Sequence, residues 1–291
     1  MFLYSISMYC FNQLLQSGDI SLKAAMRFAR SVGFQAIEML DLYWDEEEPR
    51  DAQADVLRAQ ASAEAVSISC YTIHNDLGVF DEKKRRALVD RMLSDVDTAV
   101  RLGAPTMRVE ASWGPARTGE DRPFEEYLES VAGGLKEVAR RAAEEGVQVG
   151  LENHGRFMGT SPRVLAVIEK VNEDNFGSCL DIGNWLVVDE DPCEAVSALA
   201  PYAKHVHAKD MHLFDEDPGR GAFPTTAGRY LLGAVLGEGC VDVTRCLDII
   251  AKAGYSGAVS LEFEGPENSF AAISRAYGNL VDCTRRLPLG G

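Results

Sequence analysis

Four residues define the chemistry open to this chain: Glu152 in LENHG, Asp181 in CLDIGN, His207 in HVHAKD and Glu262 in SLEFEG. Each lies at the end of a short apolar run that reads as a strand. Side chains alternate across a strand, so Glu152 faces away from Leu151, and Ser260, Glu262 and Glu264 oppose Leu261 and Phe263. By the same parity His205, His207 and Lys209 share a face. A lone strand-end carboxylate usually caps a helix or meets water. Three converging on one mouth repel each other at low dielectric and need a cation or shared protons. Oxygen-rich ligation with one imidazole points to a divalent ion. Mn²⁺ is expected first, with Mg²⁺, Co²⁺ and Zn²⁺ as alternatives.

The elements that must carry these residues alternate from end to end. Strand-like runs FLYSISMYC, AIEMLDLYW, VSISCYTI, PTMRVEAS, VQVGLENH, FGSCLDIGN, HVHAKDM and GAVSLEFE are each followed by a helical pattern. The helices are expected near 19–31, 51–65, 81–102, 123–145, from 162, near 191–199, 243–253 and 268–285. Gly33, Gly103, Gly146 and Gly254 fit the left-handed positions that end helices. Strict alternation implies parallel strands with right-handed crossovers. Eight such units make an α/β chain forming a single (β/α)₈ TIM barrel, one domain over 1–291, with its site at the C-terminal strand ends. An open doubly wound sheet is the alternative, but no GxGxxG follows the first strand. The long loop 211–239 is expected to serve the site.

Composition excludes several partners. With 45 acidic against 29 basic residues, the net charge of −16 argues against a nucleic-acid backbone, which binds clustered Lys and Arg. No apolar run approaches the ~20 residues that span a bilayer, and the N-terminus does not read as a signal peptide, so no membrane partner is expected. The seven scattered cysteines form no CxxC and suggest reduced thiols in a cytoplasmic protein. Homo-oligomerisation stays open.

The ordered series GFQAIEML, LENHG, CLDIGNW, HVHAKD, LGEGCVD and GYSGAVSLEFEG resembles the xylose isomerase-like TIM-barrel superfamily of sugar isomerases and epimerases, over essentially the whole chain. The resemblance implies one divalent metal held by Glu152, Asp181, His207 and Glu262, and a carbohydrate or polyol that chelates it through a carbonyl and adjacent hydroxyl. In the ketose 3-epimerases of that group two metal-bound glutamates exchange a proton with carbon, which implies Glu152 and Glu262 as the acid/base pair. Met158 and Asn184 stand where those enzymes carry Glu and His, so simple ketohexose epimerisation loses weight. Trp113 matches the position of their aromatic wall.

Further substrate contacts are expected from His74, His154, Asn184, Lys209 and Glu264. Arg229, with Arg220 as rival, is expected to cover the site from the long loop. His205 is read as orienting rather than ligating, Glu38 as a paired structural carboxylate, 237–239 as a turn and Asp242 as a helix cap. The function expected is a metal-dependent sugar or keto-sugar isomerase/epimerase. The alternative is a lyase or dehydratase on a keto-polyol or oxidised glycoside. An endonuclease IV-like hydrolase is disfavoured by only five histidines and the acidic charge, and a non-catalytic metal-binding protein is the remaining contrast.

Overall fold

Eight short parallel strands pair edge to edge and close on themselves, which removes every free edge from the main sheet. The computed structural model describes residues 2–285 and 287; positions 1, 286 and 288–291, the ends of the expected domain, lie outside the described residues. The barrel strands are β1 (Leu3–Ser7), β2 (Ala36–Leu40), β3 (Ser67–Thr72), β4 (Thr106–Val109), β5 (Gln148–Glu152), β6 (Phe176–Asp181) and β7 (Ala203–Ala208). After them β8 (Asp210–Phe214), β9 (Phe223–Pro224) and β10 (Tyr230–Ala234) form a separate sheet, and β11 (Ala258–Leu261) closes the barrel between β7 and β1.

The outer layer begins with α1 (Asn12–Gln16), α2 (Leu22–Val32), α3 (Arg50–Ala63), α4 (Glu82–Leu102) and α5 (Pro115–Thr118). It continues with α6 (Phe124–Glu144), α7 (Ser161–Val171), α8 (Pro192–Leu199), α9 (Val243–Lys252) and α10 (Ser269–Arg285). Their starts follow from side-chain caps: Ser21 accepts from Ala24 N, Asp81 from Lys84 N and Asp242 from Arg245 N. Gly103 ends α4 in the left-handed region at φ 73°, where a side chain would be strained.

Strand parity divides the core in two. Ile37, Met39, Met107, Val109, Val149, Leu151, Leu180, Val206, Val259 and Leu261 are buried under the helices. The opposite parity sends Glu38, Arg108, Glu152, Asp181, His205 and His207 into the barrel, where a run of hydrogen bonds crosses from β2 to β7, β5 and β4. Register then levels the strand ends. Asp181 lies opposite His207, Glu152 opposite Cys179, and the Glu262 N–H donates to the Ala208 carbonyl at 3.1 Å.

The expected loop 211–239 proves to contain an antiparallel sheet in the order β8-β10-β9, with Leu213 opposite Leu231. One buried carboxylate ties it to the barrel. Asp210 Oδ1 accepts from Met211 N and Val241 N, and Oδ2 from Gly237 N and Gly239 N, at 2.8 to 3.0 Å. The expected turn at 237–239 is thus wrapped around Asp210, and a Cβ at Gly239 would lie 2.2 Å from its Oδ1. Among the described residues no helix is long and apolar enough to cross a membrane. All seven cysteines are free.

Replacing Asp210 by alanine strands several buried N–H groups, each costing on the order of 1–3 kcal/mol when unpaired. Urea denaturation of Asp210→Ala should show a loss of at least about 2 kcal/mol. Stability equal to the parent would contradict the anchoring role.

Candidate metal centre and active site

At the C-terminal mouth, ligand atoms of Glu152, Asp181, His207 and Glu262 all lie within 4.8 Å of one another. His207 Nδ1 is the hub: Glu152 Oε1 is at 2.6 Å, Glu262 Oε2 at 3.7 Å and Asp181 Oδ2 at 3.8 Å. Ligands of one divalent ion, each bonded at about 2.1 Å, can be at most about 4.2 Å apart, so these separations suit a shared ion once the His207–Glu152 hydrogen bond opens. The fit has a second sign. Asp181 Oδ1 accepts from Gly183 N and Asn184 N, while among the described residues its buried Oδ2 has no hydrogen-bond partner. Lys209 Nζ stands 3.5 Å from this oxygen without completing a hydrogen bond, so a closer cation would satisfy it.

Behind the imidazole, Glu38 accepts from both histidines of HVH: His205 Nε2 at 2.9 Å and His207 Nε2 at 3.0 Å. A carboxylate on the far nitrogen fixes ring orientation and frees Nδ1 for a metal. The structure therefore separates the two histidines, His207 reaching the four-residue cluster and His205 reaching only its support. Carboxylates at both nitrogens keep His207 protonated in the absence of metal. Burial pushes it down, but Cys179, Glu38, Glu262 and Glu152 together hold it well above the usual histidine range. Burial would raise Glu152 too, yet Arg108 and then His207 hold its carboxyl well below the usual range. Asp181 goes the other way: burial, with Glu262 and Glu152 nearby, pushes it up to about 7 against the pull of Lys209.

Two further groups flank the cluster. Lys209 Nζ lies 2.9 Å from Glu262 Oε2, 3.2 Å from Glu264 Oε1 and 3.5 Å from Asp181 Oδ2, and donates to Asn184 Oδ1 at 3.4 Å. Glu264 opens into a cavity of about 250 Å³ whose walls include Tyr9, Gln13, Phe223 and Phe263. On the other side His154 Nδ1 lies 3.2 Å from Glu110 Oε1 and its ring meets Trp113 edge to face at 4.9 Å. Met158 is buried, consistent with the loss of a polar contact there.

The structure does not bring every expected contact to the cluster. His74 bonds Asp41 at 2.6 Å on the rim and lines a separate cavity of about 450 Å³ with Arg91 and Arg117. Arg229, expected over the site, lies in the turn just before β10 and sets its exposed guanidinium 3.4 Å from Asp189 Oδ1. Conversely, the structure adds Arg108 and Glu110, of the fourth strand and its extension, to the expected site. Arg108 is buried, reaches Glu110 Oε1 at 2.9 Å and also donates to Glu152 Oε2. The alternation Arg108, Glu110 against Met107, Val109 carries the signal that would have found them.

The sequence profile of the xylose isomerase-like TIM barrel matches residues 26–284. The chain belongs to the xylose isomerase-like TIM-barrel family. Within this family it is 27% identical over 180 residues to an inosose dehydratase from Lacticaseibacillus casei, covering 58% of this chain and 59% of that protein. It is 24% identical over 284 residues to the L-ribulose-5-phosphate 3-epimerase UlaE of Salmonella paratyphi A, covering 91% and 90%. The chain spans only 58–59% of the length of the first curated relatives it matches. A solved structure of the IOLI protein with a bound zinc atom superposes with TM-score 0.77 at 20% identity, covering 99% of each chain, a likeness of fold.

Mn²⁺ titration followed by elemental analysis should give about one ion per chain if the four side chains act together. His207→Ala and Asp181→Ala should abolish stoichiometric binding, His205→Ala should retain it, and Glu38→Gln should weaken it by about 10- to 100-fold. Full occupancy in His207→Ala would show that the ligand set is wrong.

Affinity should also depend on pH, since metal and proton compete for Asp181 and His207. Between the ordinary aspartate value of 3.8 and about 7 the folded, metal-free chain keeps a proton on Asp181 that the unfolded chain has lost. The contribution of Asp181 to metal-free stability therefore falls as pH rises across that window, while Mn²⁺ affinity climbs. Calorimetric titrations at pH 6 and 8 that gave equal affinities would contradict this linkage.

Proposed function

We propose that this chain is a divalent-metal-dependent enzyme that transfers a proton at the carbon beside the carbonyl of a sugar or keto-sugar, as an isomerase or epimerase. The observation that carries the reading is the convergence of Glu152, Asp181, Glu262 and His207, with the orphaned Asp181 oxygen, beside a cavity that Glu264 opens. A bound divalent ion would serve as a Lewis acid on the carbonyl oxygen and so acidify the neighbouring C–H, and Mn²⁺ is the ion we expect first. The names of related proteins, among them a ribulose-phosphate epimerase and an inosose isomerase, support a small carbohydrate or polyol substrate. Seven free thiols suit a reducing cytoplasm.

Within the cluster Glu262 is the group suited to meet substrate. Its side chain keeps 11% exposure, against 0% for Asp181 and 2% for Glu152. The Lys209 ammonium beside it steadies the carboxylate and can deliver a proton to oxygen as charge develops there. Lys209 is also the observation that favours a second reading, a dehydratase. A cation 2.9 Å from the base and 3.2 Å from Glu264 can protonate a departing hydroxyl. The Lacticaseibacillus casei relative named as an inosose dehydratase supports that alternative.

The test is solvent exchange. Protein loaded with Mn²⁺, given keto-sugars and keto-inositols in D₂O, should place deuterium on the carbon next to the carbonyl of its substrate. Glu262→Gln at saturating Mn²⁺ should slow this by at least ~10², the usual contribution of a positioned base. Unchanged product mass apart from deuterium marks an isomerase or epimerase, and loss of water a dehydratase. Normal exchange in Glu262→Gln would contradict the assignment of the base.

A further inference from the structure

The two glutamates of the cluster are held very differently. Both oxygens of Glu152 are engaged, Oε1 by His207 Nδ1 at 2.6 Å and Oε2 by the Arg108 guanidinium. Arg108 cannot swing away, because its other amino group donates to Glu110 Oε1 at 2.9 Å and to the Ile73 carbonyl at 3.1 Å. Glu110 is fixed in turn: its Oε2 accepts from Trp113 Nε1 at 3.0 Å and its N–H donates to Asn75 Oδ1 at 2.9 Å. A permanently charged, planar fork locked at both ends is a strong orienting partner for a carboxylate. Glu262 has no guanidinium on it among the described residues; its close charged partner is the Lys209 ammonium, which it shares with Glu264 and Asp181.

We infer that Arg108 is a positioning residue that holds Glu152 as a one-oxygen metal ligand and withholds it from substrate, so that proton transfer runs on a single face through Glu262. The inference rests on the proposed function and narrows it, since epimerisation with two bases requires one on each face of the carbon. On one face, Glu262 takes the proton from the carbon beside the carbonyl, and the C–H electron pair passes to the carbonyl oxygen, giving an enolate. For a 1,2-isomerisation the same carboxyl, once its proton has exchanged with solvent, delivers a proton to the old carbonyl carbon on that face while the hydroxyl proton moves to the old carbonyl oxygen. For elimination, the electron pair expels a β-hydroxyl that leaves as water with a proton from Lys209, and Glu262 passes its proton to Lys209. The substrate class that suits the site is thus an aldose–ketose pair or a β-hydroxy ketone, rather than a ketose inverted by two opposed bases.

The test uses Mn²⁺ alone as one probe and the loaded wild type as the other. By calorimetry, Arg108→Gln should bind Mn²⁺ about 10- to 100-fold more weakly than wild type, as loss of an orienting partner does, and Arg108→Lys should fall between them. Arg108→Lys retains the buried cation and guards against a failure to fold. Its Co²⁺ visible spectrum should differ from that of wild type, because the second oxygen of Glu152 is no longer clamped. In D₂O the wild type should deliver deuterium to one face only. Wild-type Mn²⁺ affinity in folded Arg108→Gln, an unchanged Co²⁺ spectrum in Arg108→Lys, or deuterium on both faces overturns the inference. Absence of exchange from every carbonyl substrate would instead overturn the proposed function, while the metal titrations still decide what Arg108 does.

Discussion

Charge neutralisation inside the barrel is the constraint around which the rest of the structure is arranged. Glu38, Glu110, Glu152 and Asp181 are buried and Glu262 nearly so, within hydrogen-bonding reach of one continuous network. Carboxylates removed from water lose several kcal/mol of hydration each, and unpaired they would simply protonate. The chain supplies Arg108, Lys209 and His207 as counter-charges, each touching at least two of the acids. These cations balance the network only in part, as the raised Asp181 carboxyl and its orphaned Oδ2 indicate. A divalent ion, as proposed, would offset most of the remaining negative charge.

The barrel makes that concentration of charge affordable by sharing it among strands. Each of β5, β6, β7 and β11 delivers one member of the cluster at its end, while its alternate residues bury aliphatic surface under the helices. Backbone register, not a flexible loop, sets the separations, so little conformational entropy remains to be lost when a ligand binds. The inserted sheet begins three residues after His207: Lys209 enters the site, and Asp210, the first residue of β8, ties down the turn at 237–239. One short stretch of chain thus joins the mouth of the barrel to the segment that borders the cavity beside Glu264.

Much of this was legible from period-two alternation and strand ends. Eight strands, the helix cap at Asp242, and the inward group Glu152, Asp181, His207 and Glu262 follow from local pattern, because parity and register are local properties. What escaped was non-local. Glu38 was read as paired, but its partners, His205 and His207, lie across the barrel and 167 and 169 residues away. Arg108 obeys the same parity as the acids, yet a cation inside a strand suggests no metal chemistry until Glu152 is seen beside it. The inserted sheet is hidden in the sequence because β9 has two residues and Gly and Pro punctuate the segment. Arg229 was placed by resemblance, and resemblance does not transmit the outward turn that pairs it with Asp189.

The account depends on one ion lying at one point. Anomalous diffraction at the manganese edge, from crystals grown with Mn²⁺, locates it without reference to any substrate. The structure predicts one strong peak enclosed by Glu152 Oε1, Asp181 Oδ2, His207 Nδ1 and Glu262 Oε2, with bonds of about 2.0–2.3 Å. A peak lying instead between Glu38, His205 and His207, or beside Glu110 and His154, or no peak at saturating metal, would contradict it.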